Sequence, residues 1–376
     1  MATFPIDRIV FGPDDVDLTR SPIRRDFERA HVDTFVLGAF NPALTRLPNG
    51  NLLMMVRIAE ALKHPVIDGQ AHAIRWTAEA YKLDGYPVSE LDLSDPRTFR
   101  LRTHHYPTLG LTSLSWLLPV EMDREGLTVV RAHYDKAIAP RAPYQEYGVE
   151  DARISRIDDT YYMTACSVSS ARHGTSLYTS TNGLDWELRG LVLDHQNKDM
   201  LYFEGRIGGR FWALTRPLGS LYFLAPPDSH RHAGPAIHLA TSPDGLHWKP
   251  HEQDFIQPRK GSLSTMKLGG GSPPIRTPRG WLMLYHGVEP KGAVGVYRTF
   301  WALLDSEDPA RILRLADDAP LLEERPELTA PLKDKLYLQD VVFTTGIADA
   351  GDHYVVASGE NDLACRITLI PTHAFV

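Results

Sequence analysis

Apolar residues in this chain fall into short runs of strand length, and the runs come in pairs joined by turn residues. The clearest pairs occupy residues 40–55, 150–164, 203–214, 271–284 and 340–357. In the first, Phe40-Asn-Pro-Ala-Leu-Thr-Arg46 and Leu52-Leu-Met-Met55 flank a turn built from Pro48, Asn49 and Gly50. Apolar segments bounded by Gly, Asn, Asp or Pro predict antiparallel hairpins, and few stretches carry the 3.6-residue period of a helix. Successive hairpins begin about 109, 53, 68 and 69 residues apart. A shorter repeat lies inside this series. Thr179-Ser-Thr-Asn-Gly-Leu-Asp-Trp186 returns as Thr241-Ser-Pro-Asp-Gly-Leu-His-Trp248. In each copy Asn-Gly or Asp-Gly supplies a positive-φ turn, and the Trp is expected to pack the returning strand.

Five hairpins in 376 residues leave about 75 residues for each, enough for four strands and their loops. The expected fold is therefore all-β, a single five-bladed β-propeller spanning 1–376, with a two-sheet sandwich as the structural alternative. The long first interval predicts an insertion around 62–142 that covers the site, and its Arg102-Thr-His-His-Tyr-Pro107 reads as a loop whose His104 and His105 could touch substrate. In a propeller the innermost strands line one channel, so residues far apart in sequence meet at its mouth.

Composition narrows the function. With 43% hydrophobic and 23% charged residues the chain is an ordinary globular protein, and its net charge of -7 argues against nucleic-acid binding, which needs a basic face. No apolar run approaches the roughly 20 residues that span a bilayer, and Met1-Ala-Thr-Phe-Pro-Ile-Asp-Arg8 lacks the pattern of a secretory signal. Two cysteines, Cys166 and Cys365, are too few for a disulfide framework. The expectation is a cytoplasmic protein without a membrane partner; propeller edges can support a homo-oligomer, with no symmetry fixed.

The chemistry concentrates at strand ends. Gly148-Val-Glu-Asp-Ala-Arg-Ile154 opens a hairpin with two adjacent carboxylates, and Asp151 is the candidate general acid, with Glu150 or an apolar wall expected to raise its pKa. Arg57, Asn197, Lys198, Arg216, Lys267, His286 and Tyr297 are the candidate anion site. A phosphate held away from water needs several charge-assisted donors of this kind. An acid facing an anion site is what a glycosidic bond requires if phosphate is to cleave it. Gly269-Gly-Gly-Ser272 lacks the ending of a P-loop and reads as backbone clearance beside a ligand. His230, His232 and His238 have no second cluster to complete a metal site, so no metal is expected.

These motifs resemble glycoside hydrolase family 130, the β-mannoside phosphorylases and related β-mannosidases. The resemblance runs from Asn41 to about Ser358 and rests on 148–154, Asn197-Lys-Asp199, Phe203-Glu-Gly-Arg-Ile207, Thr215-Arg-Pro217, Gly269-Gly-Gly-Ser-Pro-Pro-Ile275, Tyr285-His-Gly-Val288, Val296-Tyr-Arg298, Ala302-Leu-Leu-Asp305 and Asp340-Val-Val-Phe343. It implies a five-bladed propeller in which Asp151 passes its proton through the mannosyl 3-hydroxyl to the bridging oxygen, while phosphate attacks the opposite face and yields α-mannose 1-phosphate. It also implies that Arg216, Lys267, His286 and Tyr297 hold phosphate, that Arg57 holds phosphate or sugar, and that Asn41, Arg46, Glu150, Glu204 and Asp340 bind sugar. Inorganic phosphate is then a co-substrate and there is no cofactor. The chain departs from the family pattern at Ala152, at Glu204-Gly-Arg206 and after Tyr297-Arg298.

Three readings follow. The first is an inverting phosphorylase acting on β-1,2-mannobiose or short β-mannooligosaccharides, with β-1,4-mannosyl-glucose or β-1,4-mannosyl-N-acetylglucosamine as further choices. The second is a β-mannosidase of the same fold with a glutamate, Glu204, as base. The third is a noncatalytic glycan-binding propeller.

Overall fold

The computed structural model describes residues 4–29, 32–95, 98–103, 108–219, 222–251 and 255–375; His104 and His105 lie outside them. All five expected hairpins form antiparallel pairs, and each belongs to a group of four or five strands, the first two groups being joined into one eight-stranded sheet by the parallel pairing of Ser115 with Gly148. Thr34–Arg46, Leu52–Leu62, Ser113–Met122 and Val129–Ala132 make the first group. Gly148–Ile157, Thr160–Val168, His173–Ser180 and Glu187–Leu193 make the second. The third contains Asn197–Tyr202, Phe211–Pro217, His238–Ser242 and Lys249–Pro250. In the fourth, Lys267–Gly270 and Ile275–Thr277 both pair with Gly280–Glu289, which is followed by Val296–Leu304 and Ile312–Ala316. The fifth has Val342–Asp349, His353–Glu360 and Ala364–Pro371, and takes its outermost strand, Ile6–Phe11, from the N-terminal region.

Sheets with apolar faces must bury them against something, and here each group packs on its two neighbours. Leu53, Met55 and Leu117 meet Val149, Ile154 and Met163 between the first and second groups. Leu177 meets Met200, Tyr202 and Phe211 between the second and third, and Phe203 and Leu214 meet Trp281 and Met283 between the third and fourth. Leu282 and Leu284 meet Val342 and Val356 between the fourth and fifth, and Val355 and Ile367 meet Met54 and Trp116 between the fifth and first. Fully burying one such side chain contributes about 1.5–3 kcal/mol, so these five seams are the main cohesive force of the fold.

The eight-residue repeat becomes a repeated turn. Gly183 and Gly245 have φ of 79° and 78°. Asn182 Oδ1 accepts from the amides of Leu184 and Asp185 at 2.9 and 2.8 Å, and Asp244 Oδ1 accepts from those of Leu246 and His247 at 2.9 Å each. The Asx side chain thus fixes the loop that the glycine permits. Trp186 stands edge-on to Tyr161, and Trp248 packs on Tyr202.

The stretch 62–142 divides in two. Ser113–Met122 and Val129–Ala132 are outer strands of the first group, whereas Val66–Ile67, Gln70–Trp76 and Tyr81–Pro87 form one small three-stranded sheet and Leu91–Asp92, Thr98–Leu101 and Leu109–Leu111 another. Arg75 reaches Glu146 at 3.3 Å, which sets the first of these sheets beside the entry to Gly148–Ile157. Both cysteines are buried and free. Burial pushes the Cys166 thiol up to about 12.

The N-terminal strand is pinned by charge as well as by its ladder. Asp7 Oδ1 accepts from Arg366 Nε at 2.6 Å, and Oδ2 accepts from Arg366 Nη2 at 2.7 Å and Arg325 Nη1 at 2.9 Å. Burial alone would raise the Asp7 pKa, but Arg366, Arg325 and Thr368 outweigh it and hold the group below its ordinary value. A carboxylate depressed in the folded state contributes stability above its unfolded pKa of about 3.9 and loses it as pH falls through the lower folded value. Asp7→Asn is therefore expected to unfold at lower urea than wild type at pH 7, with the gap closing below about pH 4. A gap that stays constant down to acid would mean that this cluster does not couple to protonation.

Candidate active site

Four Asn and Asp residues in or beside these strands share an unusual backbone. Asn41, Asp151, Asp199 and Asp340 all have positive φ, at 49°, 50°, 54° and 63°. Left-handed conformation is unfavourable for residues with a Cβ, and Asn and Asp tolerate it best. The first three sit where the ladder slips, between Phe40 and Ala43, Glu150 and Arg153, and Lys198 and Leu201. Such bulges re-aim side chains, and they recur beside active sites. One local device, used in the first, second and third groups, turns an Asx side chain toward a shared centre.

Asp151 is the hub of that centre. Its Oδ1 accepts from Asn41 Nδ2 and Arg57 Nη1, each at 2.9 Å. The other arm of the Arg57 fork, Nη2, reaches Glu150 Oε1 at 2.8 Å, while Nε donates to Ser115 Oγ at 2.9 Å. Lys198 Nζ reaches Glu150 Oε2 at 3.2 Å. Burial by itself would raise the Asp151 pKa, but Arg57, then Lys198 and Arg153, with the Asn41 hydrogen bond, hold it well below the usual carboxylate range. The same balance, led by Arg57 and Lys198 against burial, lowers Glu150. The expectation that Asp151 is raised is thus corrected: Glu150 does repel it, but both carboxylates share the one guanidinium that favours their charged forms.

A second cluster adjoins the first through Arg153. Arg216 Nη1 lies 2.7 Å from Asp199 Oδ2 and 3.0 Å from His286 Nε2; Arg153 Nη2 lies 3.6 Å from Asp199 Oδ1. Asp199 is wedged tightly, since a Cβ at Gly269 would stand 2.4 Å from both its Oδ2 and the His286 ring. Glycine at 269 is the clearance that this wall demands. Burial first, then Arg216, Arg153 and Lys267, push the His286 pKa well below its ordinary value. His286, read from sequence as a cation, is accordingly a neutral ring whose Nε2 accepts from Arg216, leaving the proton on Nδ1. Among the described residues, Arg216 Nε, His286 Nδ1, Asn197 Oδ1 and Ser272 Oγ are buried without a hydrogen-bond partner. Lys267 Nζ stands 4.9 Å from the centre of the Tyr297 ring, which stacks on His286 at 5.8 Å.

The arrangement joins a carboxylate pair, through Arg153, to a cluster with Arg216 and buried uncharged donors suited to an oxyanion. The family model described as β-1,4-mannooligosaccharide phosphorylase matches residues 120–375. A β-1,2-mannobiose phosphorylase of Listeria innocua is 30% identical over 340 residues, covering 88% of this chain and 86% of the relative.

The chain belongs to glycoside hydrolase family 130.

A second family relative, a 1,2-β-oligomannan phosphorylase of Thermoanaerobacter sp. strain X514, is 31% identical over 253 residues, 66% of this chain and 76% of its own. The structure of the Listeria innocua β-1,2-mannobiose phosphorylase in complex with β-1,2-mannobiose superposes with a TM-score of 0.80, at 27% identity and 98% coverage of both chains.

Not every candidate joins the family 130 centre. Asn41, Arg57, Glu150, Asp151, Lys198, Arg216 and His286 meet in the two clusters, and Asn197 lies beside Lys198 on the same strand, buried. Asp340 turns to Lys291 at 2.6 Å. Arg46 and Glu204 belong elsewhere. Arg46 ends its strand and donates to the carbonyls of Gly50 and Asp349 at 2.9 and 3.1 Å. Glu204 faces the amide of Arg156 at 3.4 Å, beside the hairpin turn at the opposite end of Gly148–Ile157 from Asp151. Burial pushes Glu204 up to about 7. An extended strand separates Glu204 and Arg46 from the acid, so neither joins the two clusters.

Four participants escaped the sequence reading: Asp199, Arg153, Ser115 and His173. Lys198 first, then burial, push His173 down to about 4. Asp199 had a signal: it follows a charged residue near the start of an apolar strand, as Asp151 does. Among the described residues no group of three His, Cys, Asp or Glu is arranged to hold a metal.

Proposed function

We propose that this family 130 chain is a single five-bladed β-propeller that cleaves β-mannosides with inorganic phosphate, releasing α-mannose 1-phosphate with inversion. Five groups of four or five strands, with an apolar seam between every neighbouring pair, support the closed ring. The observation that carries the activity is Asp151, on one bulge, joined through Arg153 to the cluster of Asp199, Arg216 and His286 from the third and fourth groups. Asp151 donates a proton toward the glycosidic oxygen by way of the mannosyl 3-hydroxyl, and phosphate attacks the anomeric carbon from the cationic side.

The substrate favoured is β-1,2-mannobiose or a short β-1,2-mannooligosaccharide. Both relatives described above act on β-1,2 linkages by name. Hydrolysis is less well supported, because Glu204, the carboxylate suggested as base, faces the far end of its strand. No helix among the described residues is long and apolar enough to cross a membrane, and a charged sugar phosphate is best kept where it is made, which favours the cytoplasm.

Incubation with a panel of β-mannobioses, with and without inorganic phosphate, tests the reading. Mannose 1-phosphate is expected only when phosphate is present, with the β-1,2 isomer consumed fastest. Free mannose at equal rates in both conditions would overturn it in favour of a mannosidase.

A further inference from the structure

An acid must hold a proton before it can give one, and Asp151 is arranged to stay ionised. Arg57 clamps it at 2.9 Å and Glu150 at 2.8 Å with separate arms of one guanidinium. Lys198 from the third group faces the same pair, Arg153 follows on the Asp151 strand, and Asn41 from the first group donates to the carboxylate itself. Asp362 also bears on Arg57, whereas Cys166, close to Lys198, stays an un-ionised thiol. The cation that holds Asp151 charged is also one of those assigned to the co-substrate.

We propose that Arg57 is shared between the acid and phosphate: in the free enzyme it neutralises Asp151 and Glu150, and an arriving phosphate dianion takes over part of its charge, which lets Asp151 acquire the proton it will donate. The inference rests on the phosphorolytic reading and deepens it.

The burial and charge balance already described agree with this. Burial favours the neutral acid, and the neighbouring cations, with the Asn41 hydrogen bond, oppose it. Two negative charges placed against those cations shift the balance toward the protonated form. The proton enters from solvent onto a carboxylate oxygen of Asp151 and passes to the leaving oxygen. The proton that the attacking phosphate carries leaves the ester product for solvent, so the full cycle neither gains nor loses protons.

Linkage makes the idea measurable without turnover. If phosphate raises the proton affinity of Asp151, then removing the charge of Asp151 must raise the affinity for phosphate by the same factor. Calorimetric titration of the full chain with inorganic phosphate alone, in mildly alkaline buffer where it is the dianion, is expected to show Asp151→Asn binding about tenfold more tightly than wild type. Equal or weaker binding overturns the proposal. Glu150→Gln, which releases the other arm of Arg57, should shift affinity in the same direction and serves if the first variant does not fold. In an Arg57→Gln background, Asp151→Asn should change phosphate affinity less than about threefold. A full tenfold effect there would mean simple repulsion between carboxylate and phosphate and would overturn the sharing. The outcome is separate from the product assay: a wild type that forms no mannose 1-phosphate sinks the phosphorolytic reading, whereas the order of phosphate affinities decides the role of Arg57.

Discussion

Asp151→Asn is expected to slow phosphorolysis of an unactivated β-mannoside by about 10³-fold, because general acid catalysis typically contributes 10²–10⁴. The substitution keeps the shape and a residue type that tolerates the positive φ of position 151, so the bulge should survive. What is lost is the proton. An aryl mannoside whose leaving group is a stable phenolate needs little protonation, so its turnover should fall far less. Steady-state rates on the two substrates therefore separate loss of the acid from loss of the site. Equal losses on both would show that Asp151 acts through structure alone, and an unchanged rate on mannobiose would exclude it as the acid.

Asp199→Ala should carry the largest cost in stability. Asp199 is the counter-charge for Arg216 and Arg153, and all three side chains are buried. Removing one partner of a buried ion pair leaves an uncompensated charge and typically costs about 3–5 kcal/mol. Alanine in the left-handed conformation adds to that. Urea unfolding should show the loss, and added phosphate should recover part of it by offering the stranded guanidinium another anion. A loss below about 1 kcal/mol would mean that water or another group already compensates Arg216.

Much of the architecture was legible because period-2 apolar runs and Asx-Gly turns are local signals. The eight-residue repeat at 179–186 and 241–248 is matched almost atom for atom by the two turns. The position of Asp151 beside the cations was legible too, once equivalent strand ends were expected to converge. Arg46 and Glu204 mark where that logic stopped. Each lies near a motif in sequence, but an extended strand carries a residue five positions away to the other end of the sheet. The protonation states of His286 and Asp151 were misread for a different reason. Asp151 is set by Arg57, Lys198 and Arg153 against burial, and His286 by burial with Arg216, Arg153 and Lys267; most of these cations come from other strands, and no local pattern reports a charge balance of that kind.

The strand Ile6–Phe11 closes the fifth group against Ala364–Pro371, and this has a consequence for the order in which the molecule is made. On the ribosome the first strand leaves the exit tunnel long before its partner exists, and it waits as an unpaired segment while the intervening groups are synthesised. Pairing across nearly the whole chain is the slowest kind of contact to form. The group that supplies Asp340 is thus the last to be completed, so folding should proceed in two stages, with Ile6–Phe11 docking on Ala364–Pro371 in the second.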